Sequence, residues 1–114
     1  MNDLLSQHCQ PLEKGTPALD SAAVAKLLPQ LDKDWRADVE QGTLVRAVRF
    51  KNYHQTIAFV NALAWIANQE DHHPDLEVSY NRCTVHFSTH SIGGLSLNDF
   101  ICAARLDALR PGLD

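Results

Sequence analysis

Residues 52 to 69 carry the longest helical periodicity in the chain, and they hold more apolar surface than one packed face can use. Polar His54, Asn61 and Asn68 recur every seven residues, while Ile57, Phe59, Val60, Leu63, Ala64, Trp65, Ile66 and Ala67 spread well beyond one stripe. A helix lying on a sheet needs a single apolar face, so the surplus requires a second covered contact. A subunit interface supplies one. Cover by loops or by the N-terminal arm is the duller alternative and stays open. Asn52, followed three residues later by Gln55, resembles a capping box and sets the start of this helix.

Strand patterns flank it on both sides. Trp35, Ala37 and Val39 alternate with polar neighbours, Gln41-Gly42 turns the chain, and Thr43 to Phe50 is rich in branched residues, which reads as a hairpin. Leu76, Val78 and Tyr80 alternate likewise. Asn81-Arg82 then reads as a two-residue turn into Cys83–Thr89, where Val85, Phe87 and Thr89 share one face and Thr84, His86, Ser88 and His90 the other. A first helix starts near Asp20 or Ser21 with Val24, Leu27, Leu28 and Leu31 on one side, its last turn blurred by Pro29. The last helix opens at Ser96-Leu97-Asn98-Asp99, with Leu97, Ile101, Ala104 and Ala108 at helical spacing, and Pro111-Gly112 stops it. The order α-β-β-α-β-β-α predicts an α+β domain: a single four-stranded antiparallel sheet with three helices on one face. Residues 20–114 form that domain. Residues 1–19, with Pro11, Gly15 and Pro17 and little periodicity, read as an irregular arm in which His8 has no assigned role.

At 114 residues the chain is one domain of a size at which oligomerisation often adds stability. A net charge of -4 without a Lys/Arg stripe gives direct nucleic-acid binding little electrostatic support. No run approaches the roughly 18 apolar residues of a membrane span and no apolar leader follows a basic start, so a cytoplasmic location is expected. Cys9, Cys83 and Cys102 are odd in number and lack metal-like or redox spacing, which reads as reduced, mostly buried thiols.

Chemistry concentrates in three short stretches: Glu70-Asp71-His72-His73-Pro74, then Ser88-Thr89-His90, then Gly93-Gly94-Leu95-Ser96 with Asp99. Imidazole titrates nearest neutral pH, so three histidines at the ends of elements suggest a site that moves protons. Plainer roles compete. Histidines at a helix C-terminus meet its negative pole, and Ser96 with Asp99 makes a capping-box arrangement without chemistry. His86 and His54 read as solvated or interface histidines. A zinc site is the rival chemistry, but adjacent histidines seldom converge on one ion and no His-x-x-x-His or Glu-x-x-His pair lies on a helical stretch to supply preorganised ligands. No Gly-x-Ser-x-Gly elbow, cysteine signature or nucleotide-binding glycine loop occurs either.

These motifs, with Tyr80-Asn81-Arg82 and Asp99-Phe100-Ile101-Cys102-Ala103-Ala104 in register, closely resemble the pterin-4a-carbinolamine dehydratase family from about Leu27 to Leu109. The family usually has threonine where this chain has Ser96, which keeps the hydroxyl. The resemblance implies the same architecture assembled as a homodimer or homotetramer. It also implies dehydration of a 4a-hydroxytetrahydropterin to a quinonoid dihydropterin, linked to pterin recycling for an aromatic amino acid hydroxylase, with no metal or organic cofactor. His72 and His90 would be acid and base, His73 a further donor, and Asp99 the group orienting an imidazole. Pro74 would fix the loop, Thr89 and Ser91 would meet polar atoms of the pterin, and Trp35 would wall the pocket. Relatives also act without catalysis, so the alternative is a homo-oligomeric binding module, coactivator-like or assembly-factor-like, with a vestigial pterin pocket.

Overall fold

Each α-helix begins on a side chain that satisfies its first free N–H groups. Asp20 Oδ1 accepts from Ala23 N at 2.9 Å ahead of α1 (Ser21–Leu27). Asn52 Oδ1 accepts from Gln55 N at 2.9 Å ahead of α2 (Tyr53–Glu70). Ser96 Oγ accepts from Asn98 N at 3.2 Å, and Asp99 returns a bond to Ser96 N at 2.9 Å, ahead of α3 (Leu97–Asp107). Pro29 falls in a 3-10 turn, Leu28–Gln30, that follows α1 directly. The computed structural model describes residues 4–109, so the expected stop at Pro111-Gly112 lies outside the described residues.

Between the helices run β1 (Arg36–Asp38), β2 (Thr43–Arg49), β3 (Asp75–Ser79) and β4 (Arg82–Phe87), giving the predicted order α-β-β-α-β-β-α. They form one antiparallel sheet ordered β1-β2-β4-β3. Leu44, Arg46 and Val48 of β2 stand opposite Phe87, Val85 and Cys83 of β4, and all six are buried. Ala47, Thr84 and His86, one position off, are exposed or half-buried, as the two-residue alternation of a strand requires. The helices therefore cover one face. The second hairpin turns one residue earlier than expected, at Tyr80-Asn81, with Ser79 paired to Arg82. Packing fixes this register, because the Asn81 carbonyl accepts from Phe50 N at 2.8 Å and the Tyr80 carbonyl from the buried Thr56 hydroxyl at 2.9 Å.

Arg46 lies on the inner face, where a charge must be paired. Asp107 at the end of α3 accepts from its guanidinium at 2.6 Å, from Trp35 Nε1 at 2.8 Å and from Asp32 N at 2.9 Å. The arm also joins the fold: Leu4 is buried in the core, and Gln7 O accepts from Arg105 of α3 at 2.6 Å. Trp65 on α2 is 63% exposed. No helix among the described residues is long and apolar enough to cross a membrane.

Candidate active site

The C-terminus of α2 delivers His72. Asp71 adopts the left-handed conformation (φ 51°), and His72 N donates to Ala67 O at 3.1 Å, the long bond of a Schellman ending. Asp is one of the few non-glycine residues that tolerates this region. The turn throws His72 off the helix and toward the first turn of α3. There Nε2 lies 2.6 Å from Asp99 Oδ1. The imidazole stacks on Phe87, ring centroids 6.0 Å apart and planes within 8°. The histidine side chain is 12% exposed and the aspartate side chain not at all.

Asp99 is fixed from its other oxygen. Oδ2 accepts from the Thr89 hydroxyl at 2.8 Å and from Ser96 N at 2.9 Å. Thr89 has one hydroxyl proton and gives it to Asp99, so in the 2.7 Å contact between the two hydroxyls Ser96 is the donor. The chain of bonds thus runs Ser96 to Thr89 to Asp99. A carboxylate only accepts, so the short contact places hydrogen on His72 Nε2. Nδ1, which has no hydrogen-bond partner among the described residues, keeps its lone pair. The contact fixes the ring orientation and leaves Nδ1 as the free acceptor nitrogen among the described residues.

Thr89 owes its place to the loop after β4. It bridges Gly94, with Thr89 N donating to Gly94 O at 3.0 Å, and the turn Thr89–Gly94 closes through Gly93 at φ 69°. This loop is clamped from outside. A Cβ on Gly42 would lie 2.7 Å from Gly94 Cα, and a Cβ on Gly94 would lie 2.6 Å from that of Ala18. Backbone contact of this closeness, with a φ of +68°, admits only glycine at Gly42, whereas Gly94 is confined by the Ala18 side chain.

Two hollows open beside the loop. One, of about 410 Å³, is lined by His72, Thr89 and Ser91 and by the arm residues Cys9, Gln10, Pro11 and Leu12. The other, of about 510 Å³, is lined by His90, Ser88, Thr89, His86 and Gly94 among others. Thr89 lines both. The structure therefore brings His72, Asp99 and Thr89 into one bonded cluster, and it sets His90 on the other hollow, its Nε2 3.5 Å from Ser88 Oγ. His73 is exposed and lies 3.0 Å from Asn68 Oδ1. Pro74 is half-buried at the junction into β3, and Ser91 is exposed on the rim of the His72 hollow. Trp35 is buried in the core, 6.1 Å from the Phe87 ring and bonded to Asp107, and it lines neither hollow. His86 pairs with Glu77. Among the described residues no three His, Cys, Asp or Glu gather as a metal site.

Sequence reasoning did not assign Phe87 or Asn98 to this region, and it placed Glu70 in the histidine motif without giving it a role. Glu70 left a signal: an acid in the last turn of a helix faces the negative pole and needs a partner. Its carboxyl is driven up by burial, yet the Cys9 N–H, His8 and Arg105 outweigh this and hold it below the ordinary value.

The structure is thus a small α+β domain that presents a buried carboxylate–imidazole contact beside an open hollow. Residues 17–109 match the family described as pterin 4 alpha carbinolamine dehydratase, and the chain belongs to that family. A Legionella pneumophila (strain Corby) protein, provisionally named a pterin-4-alpha-carbinolamine dehydratase, is 54% identical over 108 residues, covering 95% of this chain and 96% of its own. A Nitrosomonas eutropha protein of the same provisional name is 51% identical over 107 residues, covering 94% and 93%. The crystal structure of a transcriptional coactivator/pterin dehydratase from Brucella melitensis superposes with a TM-score of 0.76 at 28% identity, covering 81% of this chain and 97% of that one. A pterin dehydratase-like protein identified as a RuBisCO assembly factor in the alpha-carboxysome superposes at 0.59 with 25% identity, covering 68% and 94%.

Proposed function

We propose that this protein dehydrates a 4a-hydroxytetrahydropterin to the quinonoid dihydropterin. The observation that carries the reading is the buried His72–Asp99 contact at 2.6 Å beside a hollow, in a chain of this family. The reaction breaks the C4a–O bond, removes the N5 proton and forms the C4a=N5 bond, releasing water. His72, with Nε2–H given to Asp99, takes the N5 proton on Nδ1. His90, from the neighbouring hollow, protonates the departing hydroxide, and His73 supplies a further donor at the rim. A pterin ring lying across Thr89, which lines both hollows, would meet His72 on one side and His90 on the other. Ser91 offers a hydroxyl to its polar edge, and Pro74 stiffens the segment that carries the two adjacent histidines. Each positioned acid or base contributes about 10²–10⁴-fold.

In this reading the protein acts in the cytoplasm as a homo-oligomer and recycles pterin for an aromatic amino acid hydroxylase. The second reading, a protein-binding module, draws on the names of the two structural neighbours and on Trp65, which is 63% exposed on a helix.

The deciding experiment follows quinonoid dihydropterin formation from freshly generated 4a-carbinolamine with the wild type and with His90→Ala. Acceleration by the wild type that His90→Ala loses is the expected result. A folded wild type that leaves the spontaneous rate unchanged would overturn the enzyme reading in favour of the binding module.

A further inference from the structure

Glu70 is placed where a carboxylate is doubly unfavourable: at the negative end of α2, and with a side chain only 5% exposed. Its compensation comes from the N-terminal arm and from α3. Oε1 accepts from Cys9 N at 2.7 Å, and Oε2 lies 2.9 Å from His8 Nδ1 and 3.6 Å from Arg105 Nε. Asn98, in the first turn of α3, holds the next residue of the arm from both sides. Gln10 N donates to its Oδ1 at 3.0 Å, and its Nδ2 donates to Gln10 O at 2.8 Å. Glu70 stands two residues before His72 and Asn98 one before Asp99, so the two turns that carry the acid–base pair also carry the anchors of the arm. What they anchor is Cys9–Leu12, which lines the His72 hollow opposite Thr89 and Ser91.

We propose that Cys9–Leu12 is a built wall of the substrate site and that Glu70 and Asn98 are positioning residues that hold it there. The proposal rests on the reading that the His72 hollow takes the pterin. The wall offers Pro11 and Leu12 as apolar surface and, among the described residues, makes no hydrogen bond to the side chains of His72, Asp99, Thr89 or Ser96, so it contributes to binding the flat heterocycle in ground state and transition state alike. Loss of uniform binding raises KM and leaves kcat unchanged. An acid–base residue behaves the other way.

The arm carries its own reporter of position. Cys9 Sγ lies 3.5 Å from Cys102 Sγ, while Cys83 is buried in the sheet. An azodicarboxamide oxidant can join the first two: the thiols give up two protons and two electrons, the azo bond becomes a hydrazine, and the sulfurs close to a disulfide at about 2.05 Å. Cross-linking is fast only while the arm is docked.

The test uses the full chain with Glu70→Ala, Glu70→Gln, which keeps acceptor oxygen, and Gln10→Pro, which removes the N–H given to Asn98 from an exposed residue. Three quantities are read: KM and kcat for the carbinolamine, Kd for 7,8-dihydrobiopterin, and the rate of Cys9–Cys102 cross-linking. Expected for Glu70→Ala and Gln10→Pro are KM and Kd raised at least about tenfold, kcat within about threefold and slower cross-linking, with Glu70→Gln partly restored. Slower cross-linking with unchanged KM and Kd would overturn the wall, and unchanged cross-linking would overturn the anchoring. Wild type that neither binds dihydrobiopterin nor turns over would instead overturn the dehydratase reading, and the wall with it.

Discussion

His72 Nε2 and Asp99 Oδ1 meet at 2.6 Å across 27 residues of sequence, and the aspartate is buried while the histidine reaches a hollow. The pair joins the segment that leaves the C-terminus of α2 to the first turn of α3. The aspartate's oxygens are divided, Oδ1 to the imidazole and Oδ2 to Thr89 and Ser96 N, so that the carboxylate cannot rotate without breaking all three bonds.

Asp99→Asn tests that division. An amide has one acceptor oxygen and one donor nitrogen, and it cannot accept from Ser96 N, Thr89 and His72 at once. If the oxygen keeps the capping bond, the nitrogen faces His72 Nε2 and forces the ring hydrogen onto Nδ1, the wrong tautomer for a base. Turnover is expected to fall by at least about 10²-fold, with helix α3 retained. Circular dichroism with a urea midpoint near wild type, beside the kinetic loss, is the check. Asp99→Ala is expected to be worse for the fold, since it also removes a cap bond, about 1 kcal/mol, and strands buried donors at about 1–3 kcal/mol each.

The histidines should separate by function. His72→Ala and His90→Ala are each expected to lose about 10²–10⁴-fold in kcat, whereas His86→Ala, which removes the cross-strand pair with Glu77 and part of the lining of the His90 hollow but no proposed acid or base, keeps near-wild-type kcat. Equal activity in all three variants would sink the assignment. Urea melts of the same samples separate chemistry from stability.

The clamp on the loop after β4 predicts a compensating pair. Gly94→Ala puts a methyl 2.6 Å from the Ala18 Cβ, too close without movement of the loop that holds Thr89. Overpacking of this kind typically costs about 1–3 kcal/mol. Ala18→Gly in the same chain clears the space, and the double variant should recover most of the lost melting temperature and turnover. Gly42→Ala should find no such rescue, because its φ is +68° and its neighbour is the Gly94 backbone. Thermal melts of the four variants read this directly.

Local signals carried most of the fold into view. Asp20, Asn52 and Ser96 cap the helices where the sequence pattern put them, and alternation in Cys83–Phe87 gave the buried face, because caps and pleats depend on neighbours a few residues away. The one-residue shift of the second turn came from Phe50 and Thr56, which hold its carbonyls from distant elements. Trp35 alternates like any strand residue, and only the folded chain reveals Asp107 as its partner, 72 residues away. The arm was harder to read for the same reason. Apart from the His8 ring, which meets Glu70, the anchoring bonds run to the arm's backbone, which carries no side-chain code.

Glu70 gives the arm a pH dependence of definite sign. Burial raises its carboxyl pKa, but the backbone N–H of Cys9, the His8 ring and the Arg105 guanidinium together hold it below the ordinary 4.5. The Cys102 thiol, which also senses Glu70, is pushed far up by its bond to Cys9 and by burial. A carboxyl that ionises more readily folded than unfolded stabilises the fold fully above 4.5, and that contribution drains away as the pH falls below 4.5 and through the lowered value. Glu70→Gln removes the titration. The urea midpoint of the wild type should therefore drop more steeply than that of Glu70→Gln between about pH 6 and about pH 3.5, and the two curves should run parallel above about pH 6, where the carboxyl is ionised in both states. Parallel curves over the whole range would mean that Glu70 does not hold the arm through its charge.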